Sequence, residues 1–442
     1  MKKNLYVLLT LVLGTTLIGA CSNTGEEEAG QGKKVAKNFE SEPAEVIFYS
    51  NNNDPVDSFD FRFGDSLRKR FPNYTIKYIT SDKGYSLPEM LTSGTRFDIY
   101  FQSIGNFEGF AFPNGIQYDM TDLIQKFDVD LKRFEPTIIN AVKQASGGQL
   151  YGLPIFTSNL VLYYNKDLFD KFGVGYPKDG MTWDETLELT KKLTRIEDGK
   201  QYFGFTHSSQ HTVRMNPLSI PDADLRTDTP TIYRDERWKA FYQTFFIDPM
   251  RVPGYLEAIK KTNKLPDINN FVKDGNVAMF AYLSSLIYVW ADQLKDLNWD
   301  IVSLPTFKDQ KGIGSQSYPA YFGITKMAQN KDAAMTVLKY MVSDEFQTEL
   351  AKKGIMPVLD NKDIQNKLGL ESPYKDRNFK AIFYNKFAPI TEKALYDSQL
   401  VSNYASTGTN MALDKMDLNT ALRTSEETTL KLIDQFKQQN SK

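Results

Sequence analysis

From residue 45 onward the chain alternates short apolar runs with polar or helix-patterned stretches. "EVIFYS" (45–50) is dense in β-branched and aromatic residues and opens into "NNNDPVD", the composition of a strand followed by a βα-loop. A helix is expected over about Phe59 to Arg70, then a strand, "YTIKYI". "LPEMLTSGTRFDIYFQS" reads as a helix stopped at Gly94 and a strand at 97–101. This β-α-β-α-β order predicts a mostly parallel α/β sheet, in which ligands gather at the carboxyl ends of the strands. The residues so placed are Asn51, Asn52, Asn53 and Asp54 after the first strand, and Gln102 and Ser103 after the third.

A second α/β unit starts at "LVLYYN" (160–165). Thr182 with Glu185 forms a capping box, and Leu187, Leu189 and Leu193 follow at helical spacing. "INNFVKDGNVAMFAY" predicts a helix ended at Gly275 and then a strand, "WDIVSLPTF" a strand, and "AYFGITK" a strand feeding the helix "DAAMTVLKYMVSDEFQTELAKK". From about Phe379 the pattern is helical, and no repeat period is visible. One stretch breaks the pattern: "TSNLVLYYNK" sets Thr157, Ser158 and Asn159 together in strand-like surroundings. A buried strand must find a partner for every polar group it carries, so three in a row mark a strand that crosses a wet place.

The 442 residues, 41% hydrophobic and 24% charged, are enough for two domains with separate cores. Lys plus Arg (53) nearly balance Asp plus Glu (55) and are dispersed, which argues against a nucleic-acid partner. The 24 Tyr and 30 Phe serve mainly as core, with surplus tyrosine available for amphipathic contact surfaces.

Lys2 and Lys3 precede an apolar stretch that ends in Leu17-Ile18-Gly19-Ala20-Cys21. This resembles the bacterial lipobox, which implies cleavage after a signal peptide (1–20) and acylation of Cys21. No other cysteine exists, so an internal disulfide is excluded. Residues 21–43, rich in Gly, Glu, Ser and Lys, read as a flexible tether.

The segments "YGLPIFTSNLVLYYNKDLFDKFG…TWDE" (151–185), "FVKDGNVAMF" (271–280), "WDIVSLPTF" (299–307), "YFGITKMAQNKDAAMTVLKYMVSDEFQ" and "GIMPV" (321–358) together resemble the extracellular solute-binding proteins of carbohydrate ABC importers, the branch related to maltose-binding protein. The resemblance covers most of the mature chain in the family's order. It implies a two-lobe periplasmic-binding-protein-like α/β fold with a hinge and an inter-lobe ligand cleft. Residues 44–156 and 319–370 would form one lobe, and 157–318 and 371–442 the other. "TSNLVLYYNK" would then be the first crossing, polar because it borders the cleft. A sugar needs aromatic plates and amide or carboxylate partners for its hydroxyls. Positions in the pattern that meet this need are Asn51, Asn53, Asp54, Gln102, Asn106, Ser158, Asn159, Trp290, Tyr318 and Tyr321, whereas Trp183 and Trp299 are assigned to packing. The sequence departs from maltose-binding protein by carrying Gln102 where that relative has an aromatic and Ser158 where it has an acid, so maltose does not follow. Arg62, Lys83 and Arg214 could serve an acidic sugar, but isolated cations are usually surface residues.

Enzymatic readings find little. His207 and His211, the only histidines, lack the glutamate of H-E-x-x-H, so no metal site is assigned. G-x-S-x-G and phosphate-binding loops are missing, and no cofactor is implied. A carboxylate pair for glycoside hydrolysis is not readable among 55 acidic residues, which keeps a lipid-tethered glycoside-processing enzyme as the alternative. The expectation is a non-enzymatic, monomeric lipoprotein on the outer face of the cell membrane, Gram-positive in style. It would capture an oligosaccharide and hand it to an ABC permease driven by a separate ATPase.

Overall fold

The computed structural model describes residues 41–144 and 148–440, so the signal peptide, Cys21 and all but the end of the tether lie outside the described residues. The strands that matter here are β1 (Ala44–Tyr49), β2 (Tyr74–Ile79), β3 (Ile99–Ser103), β4 (Leu153–Phe156), β5 (Leu160–Asn165), β6 (Thr206–His207), β7 (Met279–Leu283), β8 (Trp299–Ser303), β9 (Ile313–Gln316), β10 (Ala320–Ile324) and β11 (Lys386–Ala388). The helices are α1 (Leu87–Ser93), α2 (Asn106–Ala111), α3 (Trp183–Leu193), α4 (Ser209–Arg214), α5 (Lys331–Met341), α6 (Asp344–Lys352), α7 (Asp397–Ala412) and α8 (Leu418–Asn440). Among the described residues no helix is long and apolar enough to cross a membrane.

Two sheets organise the chain. The first has the order β2-β1-β3-β10-β4, with β1 parallel to both β2 and β3 and β10 antiparallel to β3 and β4. Its inner strands are buried on both faces, which is why they read as continuous apolar runs rather than alternations. Phe101 and Phe322 stack across the β3–β10 pair at 4.6 Å, and Phe48, Phe59 and Phe63 close around them. The second sheet, β8-β5-β7-β6, is mostly antiparallel, because β5 runs against both of its neighbours. The parallel expectation therefore holds for β1, β2 and β3 and for the β6–β7 pair, and fails for β10, β4 and both neighbours of β5. An apolar run carries no information on direction, which is set by the end of the sheet to which the preceding segment delivers the chain.

Several boundaries move. β3 begins two residues later than the apolar pattern suggests, because the Asp98 carboxylate accepts the Ile47 N–H at 2.9 Å and pairs with Arg96. Gln102 and Ser103 thus end the strand instead of following it. The helix expected from Phe59 starts at Val56 and passes through a π-turn at Asp60–Gly64. The long helix after β10 is two, α5 and α6, since Ser343 adopts an extended cap and accepts the Phe346 N–H. Helix is also absent just after Phe383, where β11 pairs in parallel with β9.

β4 ends in the first sheet and β5 begins in the second, so residues 157–159 carry the chain from one to the other, and 317–319 lead from β9, in the small β9–β11 sheet, into β10 of the first sheet. These passages are fastened. Thr157 donates its N–H to Met356 O at 3.0 Å, and Tyr318 donates its own to Ser158 O at 2.7 Å. Gln347, fully buried on α6, holds the surroundings: its Nε2 donates to Ile155 O and Met341 O, both at 2.8 Å, and its Oε1 accepts the Val358 N–H at 2.9 Å. Gln347→Leu leaves three buried backbone groups unpaired, and urea denaturation is expected to show a loss of roughly 2–4 kcal/mol.

Candidate functional site between the sheets

β1 and β3 run side by side in register Tyr49↔Tyr100, which brings the loop after β1 against the end of β3. Gln102 Nε2 donates to Asn51 Oδ1 (2.9 Å) and Asn52 Oδ1 (2.6 Å), and the Tyr100 hydroxyl donates to Asn51 Oδ1 at 2.8 Å. Gln102 Oε1 accepts the Ser103 N–H at 2.9 Å, so this buried amide fixes both asparagines at the sheet's edge. Beside it, Asp54 accepts from Arg62 Nη2 at 2.6 Å, while the guanidinium lies over the Phe63 and Phe156 rings.

The second sheet answers with α4 and the start of α7. The Tyr318 hydroxyl sits 2.8 Å from Ser103 Oγ on one side and 2.8 Å from Arg214 Nη1 on the other. Asn106 Nδ2 donates to Ser103 Oγ (3.3 Å), Ser398 Oγ donates to Asn106 Oδ1 (2.6 Å), and Arg214 Nη2 donates to Ser398 Oγ (3.4 Å). Polar side chains from both sheets thus form one linked circuit. The His211 ring meets the rings of Tyr318 and Tyr282 edge-on, adding aromatic surface. The Tyr288 phenol lies within reach of Ser285 and Ser158, and burial pushes it up to about 12.

Behind the circuit is a buried ionic group. Arg214 Nε stands 3.3 Å from Asp397 Oδ2, and Lys393 Nζ lies 3.8 Å from Asp222 and 3.9 Å from Asp397. Burial pushes the Asp222 carboxyl up, against the pull of Lys393. Glu108 on α2 accepts the Gly105 N–H at 2.7 Å; burial raises it to about 7, with Asp397 adding to the rise and Lys393 opposing it. His207 and His211 are both held down at about 4, chiefly by burial. They do not converge: His207 lies among Phe205, Phe245 and Phe246, and among the described residues no group of three or more His, Cys, Asp or Glu is arranged to hold a metal.

Of the residues marked from sequence, Asn51, Gln102, Asn106 and Tyr318 meet in the circuit, with Ser158 and Asp54 alongside. Asn53 is exposed at φ 56°, a turn residue. Asn159 is buried and donates to Ile382 O at 2.8 Å, so its amide ties backbone. Tyr321 is buried opposite Gln102 but under α2, against Phe107. Trp290 is half-buried just after the short helix Leu286–Val289, packed on the apolar core. Sequence reasoning does not single out Tyr282, Tyr288, Ser398 or His211 as ligand contacts, and it offers Arg214 only as a partner for an acidic sugar against a surface reading; Arg214 is instead largely buried, its side chain 12% exposed. The three-residue spacing of His211 and Arg214 on α4 was a usable signal, since it sets both on one helix face.

Two α/β sheets joined by paired crossings, with a polar site between them, define a two-lobed binding-protein fold. The chain belongs to the bacterial extracellular solute-binding protein family, whose model matches residues 53–348. Among solved structures, the ABC substrate-binding protein Lmo0181 from Listeria monocytogenes in complex with cycloalternan superposes with a TM-score of 0.68 at 22% identity, covering 89% of this chain and 100% of that one. CpMnBP1 with mannobiose bound gives 0.66 at 18% identity over 88% of this chain and 100% of that one. A putative binding protein of Brucella abortus (strain 2308), BAB2_0491, is 24% identical over 238 residues, 48% of this chain and 51% of its own, so the match spans about half of that relative. The sn-glycerol-3-phosphate-binding protein UgpB of Salmonella typhimurium is 39% identical over only 64 residues, 14% of this chain and 15% of that one.

Glu108 yields a pH test. Its folded carboxyl keeps a proton to about pH 7, against 4.5 for the ordinary group, so the folded state binds more protons between these values and loses stability as pH rises through them. The histidines act oppositely, adding stability as pH rises from about 4 to 6.5. Glu108→Gln isolates the first effect: at pH 8 the variant is expected to be more stable than wild type by on the order of 1–3 kcal/mol, with no advantage at pH 4.

Proposed function

We propose that this protein is the substrate-binding subunit of an ABC importer, anchored through lipid on Cys21, and that it captures an oligosaccharide in the cleft between its lobes. The observation that carries this reading is the circuit of amides, hydroxyls and aromatic rings supplied jointly by both sheets. A sugar ring offers donors and acceptors around its rim and an apolar face, the complement of such a lining. The relatives solved with cycloalternan and with mannobiose support the same ligand class.

In this reading residues 44–156 with 319–370 move as one lobe and 157–318 with 371–442 as the other. The ligand binds the closed arrangement better than the open one and shifts the population toward it by that difference. The permease recognises the closed state, a separate ATPase supplies the energy, and no bond in the sugar is broken. Residues 21–43 give the working part reach from the outer face of the membrane, and the protein acts as a monomer without cofactor or metal.

Residues 22–442 should show a raised melting temperature with at least one member of a panel of gluco-, manno-, xylo- and galacto-oligosaccharides, and the sugar should be recovered intact. Tyr318→Ala and Gln102→Ala are each expected to weaken calorimetric affinity by about tenfold or more. Cleavage of the sugar would favour the enzyme reading, and a panel without binding would remove the carbohydrate assignment. In the full-length precursor, Cys21→Ala is expected to move the protein from the detergent phase to the aqueous phase; unchanged partition would refute lipid anchoring.

A further inference from the structure

The two arginines at the cleft are each ion-paired to an aspartate of the protein. Arg62 spends a nitrogen on Asp54 at 2.6 Å, another on Ser58 O at 3.0 Å, and its side chain is 8% exposed. Arg214 faces Asp397 with Nε and uses Nη1 and Nη2 on Tyr318 and Ser398. Asp397 is 1% exposed, on the inner side of the circuit, and Lys393 is held between it and Asp222 while donating to Arg214 O and Thr391 Oγ1. Glu108 approaches the same group from α2, and His211 is neutral. The remaining cation marked from sequence, Lys83, is exposed in the loop after β2.

We infer that the ligand is an uncharged oligosaccharide, selected against uronic acids, sugar phosphates and amino sugars because the two cations at the cleft, Arg62 and Arg214, and the partly exposed carboxylate, Asp54, are already ion-paired within the protein. This rests on the carbohydrate reading above and narrows it. An anionic ligand would have to draw Arg214 from Asp397 or Arg62 from Asp54, and the carboxylate left behind Arg214 is out of reach of water. An amino sugar faces the mirror problem, since taking Asp54 strands a buried guanidinium. A neutral hydroxyl meets no such obstacle. It both donates and accepts, so it can replace the Ser103–Tyr318 or Ser398–Asn106 bond one for one. A short stretch of likeness to a glycerol-phosphate-binding protein does not alter this balance of charges.

Calorimetry on residues 22–442 decides it, with maltotriose, mannotriose, xylotriose and galactotriose as neutral probes, and trigalacturonate, glucuronosyl-xylotriose, sn-glycerol 3-phosphate and chitotriosamine as charged ones. At least one neutral trisaccharide is expected to bind, with its charged counterpart weaker by about 30-fold or more. The neutral affinity is expected to change less than about twofold between roughly 50 and 500 mM NaCl. A charged probe that binds as well as its neutral counterpart, or better, overturns the inference and leaves the carbohydrate reading standing; no binding by any sugar overturns both. Asp397→Asn unfastens Arg214 and is expected to narrow the neutral-over-acidic preference by about tenfold. Asp54→Asn does the same through Arg62 and serves if the first variant fails to fold. A preference unmoved in a folded variant would show that the internal counter-charge is not what excludes acids.

Discussion

The Tyr318 hydroxyl is shared between Ser103, at the end of one sheet, and Arg214, on a helix of the other. Its place is fixed from below, because the Tyr318 N–H is bonded to Ser158 O and the two crossings are therefore stitched together where they pass. The side chains of the circuit are arranged around that point: the Gln102-held asparagines on one side, His211 and Ser398 on the other. The continuous apolar core under the two sheets brings these few side chains within 2.9–3.4 Å of one another.

The interactions divide by strength in a way that suits a closing cleft. A neutral hydrogen bond contributes about 1 kcal/mol net, so the Ser103–Tyr318 and Ser398–Asn106 links can be exchanged for water or for a sugar hydroxyl at little cost. The groups that must not move are secured otherwise: Gln347 by three bonds to buried backbone, Arg214 by Asp397, Arg62 by Asp54 and two aromatic faces. Rigid supports under an exchangeable lining are what the proposed capture of a hydroxyl-rich ligand requires.

What the sequence disclosed follows the range of each interaction. The strands, the Thr182–Glu185 capping box and the loop after β1 rest on neighbours a few residues apart, and they were legible. So was the oddity of Thr157, Ser158 and Asn159, though Thr157 and Asn159 bind backbone at the crossing rather than facing solvent. The Arg214–Asp397 and Asn106–Ser398 pairs join residues far apart in the chain, and local pattern carries no trace of them. Tyr321 shows the same limit: its register opposite Gln102 is local, but the covering by α2 is tertiary. Strand direction in the second sheet was hidden for a similar reason, since apolar runs look alike either way.

The claim that both lobes grip one ligand at this circuit is tested most directly by hydrogen-exchange mass spectrometry with and without a saturating sugar. The account expects protection to rise together in peptides covering 50–54 and 102–106 from one lobe and 208–214, 282–288 and 396–399 from the other, with 157–159 and 317–318 slowed as well. Protection confined to one lobe, or appearing away from these segments, would contradict it.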